Sequence, residues 1–211
     1  NMGGHGSLAF WLQECVNALS GNLDRAGGTL VGRGVIDFPN FGVKRGLLMR
    51  DDRSRIGDWE GDTVMGKDTK HCLLTLVERK SGFTIIRLLQ DRTTRAVTDA
   101  ALLVIRNPEH IFNTITFDNG TEFHDYKELE KDGGPTCYFA TPYHSWERGT
   151  NENTNGLIRQ YLPKGKCLAN VSQAECDWIA DQLNQRPRKR LNYQTPEAIY
   201  LKSERSVALA S

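Results

Sequence analysis

The chain has 211 residues, of which 38% are hydrophobic and 25% charged, and its formal net charge is +1. This composition is typical of one globular domain with an appendage, or of one large domain, and it excludes wholesale disorder. No apolar run approaches the roughly 18 residues of a membrane span, and no segment has the layout of a secretion signal. We therefore expect a soluble protein of the cytoplasm.

The positions of the cysteines and the distribution of charge further limit the classes of function that the protein could have. The five cysteines are scattered and form no CxxC pair, so the sequence predicts neither a zinc site nor disulfides, and Cys72 is predicted to lie in the core. Residues 184–205 carry six Lys or Arg but only two Glu. A basic segment beside an acidic pocket is typical of proteins that bind and cut phosphodiesters, although charge alone leaves a solvated helix end equally open.

The N-terminal part predicts a helix and a loop. Ser7 is a candidate N-cap for a helix over residues 8–19, and a glycine-rich loop follows over residues 21–50. Residues 19–28 (LSGNLDRAGG) resemble a segment of molybdopterin-dependent oxidoreductases. We interpret residues 1–55 as an N-terminal extension, either a fused remnant of another gene or an unrelated helix with its loop.

The pattern changes at the charged residues 51–55. Hydrophobic patterning then predicts, in order, strands over 59–65, 72–78 and 83–89, a helix over 93–106, a strand over 113–118, a short helix over 123–130, a strand over 137–140 and a helix over 153–162. A capping box at Ser172 starts one more helix, with Trp178, Ile179 and Leu183 predicted to face inward. An antiparallel meander followed by strand–helix crossovers predicts an α/β fold with an RNase H-like mixed sheet flanked by helices.

Three acidic residues are the candidate catalytic and metal-binding groups. Asp118 is the last residue of a predicted strand, which Asn119-Gly120 terminates. Asp62 lies at the end of the first predicted strand. Glu152 lies at the start of a predicted helix, on its polar face. Asp58 and Glu60 share a strand face with Asp62, so any of the three remains a candidate ligand. Carboxylate oxygens suit Mg²⁺ or Mn²⁺, and two such ions about 3.5–4 Å apart support phosphodiester cleavage. A simple turn at Asp118 and a simple helix-start role for Glu152 are the alternatives.

Several longer segments resemble one family. They are residues 56–63 (IGDWEGDT), 76–82 (LVERKSG), 116–123 (TFDNGTEF), 142–161 (PYHSWERGTNENTNGLIRQY) and 184–189 (NQRPRK), and they look like the catalytic core of IS30-family transposases. The resemblance extends from about residue 56 to 201 and implies a DDE integrase core of RNase H type, with residues 202–211 as a tail. It implies that Asp62, Asp118 and Glu152 are the catalytic triad and hold two Mg²⁺ or Mn²⁺ ions.

The resemblance also implies DNA cleavage and strand transfer at the ends of an insertion element. The implied partners are element-end and target DNA and further copies of the chain in a homo-oligomer. The basic residues predicted to contact DNA are Arg148, Arg159, Lys164, Lys166, Arg186, Arg188, Lys189 and Arg190, with Arg159, Lys164 and Lys166 extending toward solvent.

One departure from the family pattern leaves a second hypothesis open. IS30-family members carry an N-terminal helix-turn-helix region that reads the element ends, and residues 1–50 do not resemble it. The alternative function is therefore a truncated or fused, catalytically inert DNA-binding fragment. A general RNase H-like nuclease is a third hypothesis.

Overall fold

A five-stranded mixed sheet organises the described part of the chain. The computed structural model describes residues 53–68, 70–140 and 149–208, so the helix predicted over 8–19 lies outside the described residues. The strands are β1 (Asp58–Met65), β2 (Cys72–Glu78), β3 (Thr84–Leu89), β4 (Thr114–Phe117) and β5 (Thr136–Phe139). Their order is β3-β2-β1-β4-β5, with β1, β2 and β3 antiparallel and β4 and β5 parallel to β1. The predicted mixed α/β sheet is confirmed.

Helices connect and cover the strands. They are α1 (Thr94–Ile105), α2 (Tyr126–Leu129), α3 (Gly149–Tyr161), α4 (Gln173–Asn184) and α5 (Pro196–Ala208). The short helix predicted over 123–130 is divided into a 3₁₀ turn at Thr121–Phe123 and the single turn of α2. Helix α5 continues across the predicted boundary between core and tail at residue 201. Within the described ranges, no helix has the length and apolar character needed to cross a membrane.

The two faces of the sheet carry separate apolar clusters. On the first face, Trp59, Ile115 and Phe117 are fully buried in a cluster that includes α1. On the second face, Leu73 and Ile86 pack with residues of α3 and α4. Alternation along each strand sends successive side chains to opposite faces, which is why the buried strand β2 contributes Leu74 to the first cluster and Leu73 to the second.

The second face is divided into an apolar half and a polar half. Over β2 and β3 it is covered by α3 and α4, whereas over β1 and β4 it presents Asp58, Glu60, Thr114 and Thr116, all buried. Buried polar side chains are tolerated only where they are hydrogen-bonded or paired, so this half of the face has a role other than hydrophobic packing.

Helix α4 closes the outer edge of the sheet. The Asn184 side chain accepts from the backbone N–H of Thr84 at 2.8 Å and donates to its carbonyl at 2.9 Å, as a neighbouring strand would. Ser172 is confirmed as the N-cap, since its Oγ accepts from the backbone N–H of Glu175, whereas the Glu175 carboxylate is paired with Lys166. The prediction for Trp178 is wrong: Ile179 and Leu183 are buried, but Trp178 is 53% exposed and rests edge-on against Tyr161.

We expect Gly61→Ala to destabilise the fold, because a Cβ at Gly61 would lie 2.4 Å and 2.6 Å from two ring atoms of the buried Phe117. Overpacking of this kind costs about 1–3 kcal/mol. The matched control is Gly156→Ala in α3, where a Cβ meets nothing within 4 Å, and a gain of about 0.5–1 kcal/mol is expected. Urea unfolding of both variants checks this, and equal free energies of unfolding would contradict it.

Candidate active site

The register of two parallel strands brings the first two candidate carboxylates together. In the β1–β4 pairing Asp58 lies opposite Thr114 and Glu60 opposite Thr116. Two residues further along the same register, Asp62 comes beside Asp118, the residue that follows β4. Neighbouring strands are about 4.7–4.9 Å apart, and residues at even spacing share a face. Both half-buried carboxylates therefore lie at the polar half of the second face.

The three acidic residues of β1 have different partners. Asp58 is held by Arg55, whose Nε and Nη2 each donate at 2.8 Å, and it also accepts from Thr114 Oγ1 at 2.7 Å. Glu60 accepts from Arg79 Nε at 3.2 Å and from the backbone N–H of Asn151 at 3.0 Å. Both are committed to structural contacts in the sheet. Asp62, the last of the three, is also hydrogen-bonded, through Asn155 and the backbone N–H of Thr63, and its catalytic role stays a prediction.

Glu60 fixes the start of helix α3 on the sheet. The side chain is 1% exposed, and burial raises its pKa above the ordinary 4.5, opposed by the Asn151 hydrogen bond and the charge of Arg79. A carboxylate at the first turn of a helix interacts favourably with the helix dipole. Because Asn151 directly precedes Glu152, the hydrogen bond to Glu60 fixes the position of the helical turn that carries the predicted catalytic glutamate.

One turn later, α3 contacts Asp62 directly. Asn155 Nδ2 donates to Asp62 Oδ2 at 2.8 Å, while Asp62 Oδ1 accepts from the backbone N–H of Thr63 at 2.9 Å. Asn155 lies three residues after Glu152, and residues three apart are neighbours on a helix surface. The helix therefore carries Glu152 over the same end of β1 that presents Asp62.

The two flanks of α3 face different parts of the molecule. Tyr161 on one flank contacts Trp178 of α4, and α4 packs on β3. At 100° per residue, Glu152, Asn155 and Arg159 lie on the other flank, which faces the β1–β4 side. Glu152 is exposed there. The predicted polar face of this helix thus lies toward β1, where Asn155 contacts Asp62 and Arg159 contacts Met65, and away from α4.

The turn after β4 is built around Asp118. Its Oδ1 accepts from the backbone N–H of Gly120 at 3.0 Å, and Asn119 Nδ2 donates to the carbonyl of Ala140 after β5 at 2.5 Å. A Cβ at Gly120 would lie 2.8 Å from Asp118 Oδ1 and 2.5 Å from Glu122 Oε2. A side chain at this position would therefore displace one or both carboxylates that close around Gly120.

Glu122, which no sequence motif marks as a site residue, joins three segments beneath the site. Its Oε1 accepts from Thr63 Oγ1 at 2.8 Å and from Arg92 Nε at 2.7 Å, and Arg92 Nη2 also donates to it. Thr63 follows Asp62 and Glu122 follows the Asp118 turn, so this buried carboxylate links the two strand ends. The sequence contained no signal for the long-range pairing with Arg92.

The carboxylates share one region, but they do not converge on one point. In the part of the chain that the structure describes, no three His, Cys, Asp or Glu side chains are close enough to hold one metal ion. Asp62, Asp118 and Glu152 nevertheless offer only oxygen donors, the chemistry that Mg²⁺ and Mn²⁺ prefer. Their donor type and their common side of the sheet fit such ions, and their joint coordination stays a prediction.

The basic residues predicted to contact DNA differ in their surroundings. Arg159 does not extend toward solvent: it is half-buried, donates to the Met65 carbonyl at 2.8 Å, and burial lowers its pKa. Lys166 is paired with Glu175 at 2.9 Å. Lys164, Arg186 and Lys189 are exposed. Arg148, with His144 and Trp146, lies outside the described residues.

Comparison with known proteins agrees with this geometry. The integrase core domain family matches residues 52–145. The transposase for insertion sequence element IS4351 of Bacteroides fragilis is 44% identical over 161 residues, covering 75% of this chain and 49% of that protein. The transposase InsI for insertion sequence element IS30C of Escherichia coli K12 is 45% identical over 163 residues, covering 75% of this chain and 41% of the relative. The chain thus spans less than half the length of these relatives.

Solved structures support the fold independently. The catalytic core domain of BIV integrase superposes with a TM-score of 0.56 at 23% identity, covering 72% of this chain and 97% of that one. The HTLV-2 integrase catalytic core domain, solved in complex with magnesium in a trimeric form, has a TM-score of 0.53 at 22% identity, covering 69% of this chain and 97% of that one. At these identities the likeness establishes the RNase H-like fold.

We expect Glu122→Gln to lower stability in a pH-dependent way. Burial alone would raise the pKa of Glu122, but hydrogen bonds from its own backbone N–H, Arg92 and Thr63 outweigh burial and lower the pKa below the ordinary 4.5. A carboxyl with a lowered folded-state pKa stabilises the fold fully above its unfolded pKa, and this contribution is lost as pH falls through the folded pKa. At neutral pH the substitution should cost about 1–3 kcal/mol.

Urea unfolding from neutral pH to below 4.5 measures the difference between wild type and Glu122→Gln. The difference should shrink at the acidic end. Exposed Glu109 provides the matched control, since Glu109→Gln should change stability by less than about 0.5 kcal/mol. A Glu122→Gln difference that stays constant over this range would contradict the assigned role.

Proposed function

Since the chain carries an integrase core domain and belongs to the IS30 family of transposases, we propose that it is the catalytic part of an enzyme that cleaves and joins DNA at the ends of an insertion element. The reaction class is metal-dependent polynucleotidyl transfer. The observation that supports the proposal is the β1–β4 register, whose continuation by two residues would bring Asp62 beside Asp118, together with the hydrogen bond from Asn155 of α3 to Asp62.

The proposed chemistry consists of two in-line displacements at one site. Water first attacks a phosphodiester at the element end, breaks its bond to the 3′-oxygen and so releases a 3′-hydroxyl. That hydroxyl then attacks a phosphodiester of the target strand, where the new P–O bond replaces the bond to the target's own 3′-oxygen, which leaves as a hydroxyl. Asp62, Asp118 and Glu152 would hold two Mg²⁺ or Mn²⁺ ions. When bound, such ions lower the pKa of the attacking oxygen and stabilise the charge on the leaving oxygen.

The neighbouring residues have positioning roles in this proposal. Asn155 orients the Asp62 carboxylate through one of its oxygens. Glu60 holds the first turn of α3 against β1, and Arg159 holds the next turns of the helix to the end of β1 through the Met65 carbonyl. Contacts of this type keep reacting groups in a productive geometry, which is a major part of the catalytic effect of an enzyme.

DNA is the proposed partner, as element ends and as target. Exposed Lys164, Arg186 and Lys189 suit contacts to backbone phosphates, which set affinity and register rather than sequence preference. Arg148, Lys166, Arg188 and Arg190 complete the proposed contact set, whereas Arg159 has the positioning role described above. Joining two element ends to one target requires more than one active site, so we propose a homo-oligomer, acting on DNA in the cytoplasm.

Glu152→Gln is the variant that tests this function. The substitution keeps the size of the side chain but removes the anionic charge that a divalent ion needs, so Mg²⁺-dependent nicking of element-end DNA should fall at least about a hundredfold, equivalent to about 2.7 kcal/mol of transition-state stabilisation. DNA binding should be retained, because the substitution removes no cation.

The matched control is Glu197→Gln, a half-exposed glutamate in the first turn of α5, which should nick DNA at the wild-type rate. Full cleavage by Glu152→Gln would remove Glu152 from the site. Wild-type protein that binds element-end DNA without ever cleaving it would instead support the inert-fragment hypothesis.

A further inference from the structure

An exposed aromatic side chain lies in the loop of residues 185–195, between α4 and α5. Tyr193 is 72% exposed, and within the ranges that the structure describes no hydrogen bond or ring contact involves its side chain. Single exposed apolar residues are normal on protein surfaces, so exposure alone indicates no function. The backbone of this residue and the charge around it are less usual, and packing explains neither.

Tyr193 has a left-handed backbone conformation. Its φ is 62°, and the preceding Asn192 has a φ of 53°. Asparagine tolerates this region because its short polar side chain bonds locally, but for a bulky residue such as tyrosine the conformation is sterically unfavourable. Glycine would adopt it at less cost. Tyrosine at this position therefore costs stability, and its exposed ring gains little through packing.

Backbone hydrogen bonds hold the loop in this conformation. The N–H of Arg188 donates to the Gln194 carbonyl at 3.0 Å. The Arg188 carbonyl in turn accepts from the N–H of Leu191 at 2.9 Å and from that of Tyr193 at 3.0 Å. Arg188 is itself anchored, since its Nη2 donates to the carbonyl of Leu183 in α4 at 3.2 Å. Strained residues persist only where the surrounding structure fixes them, and they cluster at ligand sites.

The surroundings of the ring in the sequence are basic. Residues 182–196 contain four Lys or Arg and no Asp or Glu. Two of these cations, Arg186 and Lys189, are exposed, and no ion pair in the described part of the chain involves either. Proteins bind single-stranded nucleic acid by this combination, in which cations track the phosphates and an aromatic ring stacks on a base. The charge and the ring therefore favour the same class of ligand.

The loop also borders the start of helix α3. Arg188 and Arg190 line a cleft of about 130 Å³ together with Thr150 and Asn153, which belong to the first residues of α3. Glu152, the predicted catalytic glutamate, lies in the same stretch of the helix. A DNA strand bound at the carboxylates would therefore run close to the loop.

We propose that Tyr193 binds an unpaired nucleobase of the DNA by stacking. This site rests on the proposed function for the choice of DNA as the ligand, and it adds a contact to a base where that function has contacts to phosphates. A base that has already lost its partner is the least costly to bind in this way. Every base has a π-face, so the contact needs no particular sequence.

Binding of the full chain to two DNAs in the presence of EDTA tests the proposal. One is a blunt duplex of arbitrary sequence, and the other is the same duplex with a short single-stranded adenine overhang. Wild type should bind the overhang DNA about tenfold more tightly, the usual effect of one aromatic stacking contact. Tyr193→Leu keeps apolar bulk but removes the ring, so it should lose most of this preference. Its salt dependence should not change, because no cation is removed. Tyr193→Phe should keep the preference.

Tyr193→Gly separates a role in binding from a role in folding. Glycine suits the left-handed backbone, so this variant should be at least as resistant to urea as wild type, yet it should lose the preference for the overhang. A lower urea midpoint would assign the ring to the stability of the fold and overturn the proposal.

The matched control is Trp178→Leu, which removes another exposed aromatic ring, beside Asp177 rather than among cations, and should keep the preference. The proposal is overturned if wild type has no preference for the overhang or if Tyr193→Leu keeps it. It is also overturned if Tyr193→Leu alters only the oligomeric state, since the ring would then lie between copies of the chain.

Cleavage in Mg²⁺ is scored separately from binding. The overhang preference without cleavage would reject the proposed function and leave the stacking site supported. Cleavage without the preference would reject the stacking site and leave the proposed function supported.

Discussion

The parallel pairing of β1 with β4 is the constraint on which the functional geometry depends. Because the two strands run in the same direction and in a fixed register, their carboxyl ends meet at one edge, and Asp62 comes beside Asp118 although 55 residues separate them in the chain. A slip of one residue in either strand would turn one of the carboxylates to the opposite face. The fully buried Ile115 and Phe117 prevent such a slip, since it would bring them into the polar half of the second face.

That polar half is stabilised by pairing rather than by apolar packing. Asp58 with Arg55 and Glu60 with Arg79 satisfy two carboxylates that would otherwise be costly to bury. Replacing such a pair with apolar side chains often leaves stability unchanged, so stability alone does not account for these groups. Glu60 positions helix α3, because it accepts a hydrogen bond from the backbone next to Glu152 and so joins the helix to the strand that carries Asp62.

Most of the fold could be predicted from local patterning, whereas the contacts of the site could not. The apolar run of β2 and the hairpin at Ser81 can be predicted from the sequence alone. Asp118 can be located because the Asn-Gly pair that follows it ends the strand. Period-two alternation could not choose between Asp58, Glu60 and Asp62, because all three share a face. Nor could it predict the distant partners that bind them, such as Thr114 for Asp58, Asn151 for Glu60 and Asn155 for Asp62.

The errors have the same origin. Trp178 has the helical spacing of an inward-facing residue. Its ring nevertheless packs edge-on against Tyr161, and about half of the residue is exposed. Arg159 reads as a surface cation, yet it donates to a carbonyl of β1, 94 residues away. Glu122 has no local signal at all, since its partners Thr63 and Arg92 come from two other segments. Long-range pairing of polar groups is determined by tertiary structure and produces no periodic pattern in the sequence.

The central claim is that Asp62, Asp118 and Glu152 bind the same pair of divalent ions, although within the described ranges no three His, Cys, Asp or Glu side chains are close enough to hold one ion. The most direct measurement is a crystal structure of the full chain with Mn²⁺, with the ions located by anomalous scattering. We expect two ions about 3.5–4 Å apart, with oxygens of all three carboxylates among their ligands. Ions bound elsewhere, or bound without Glu152 while DNA cleavage proceeds, would contradict the claim.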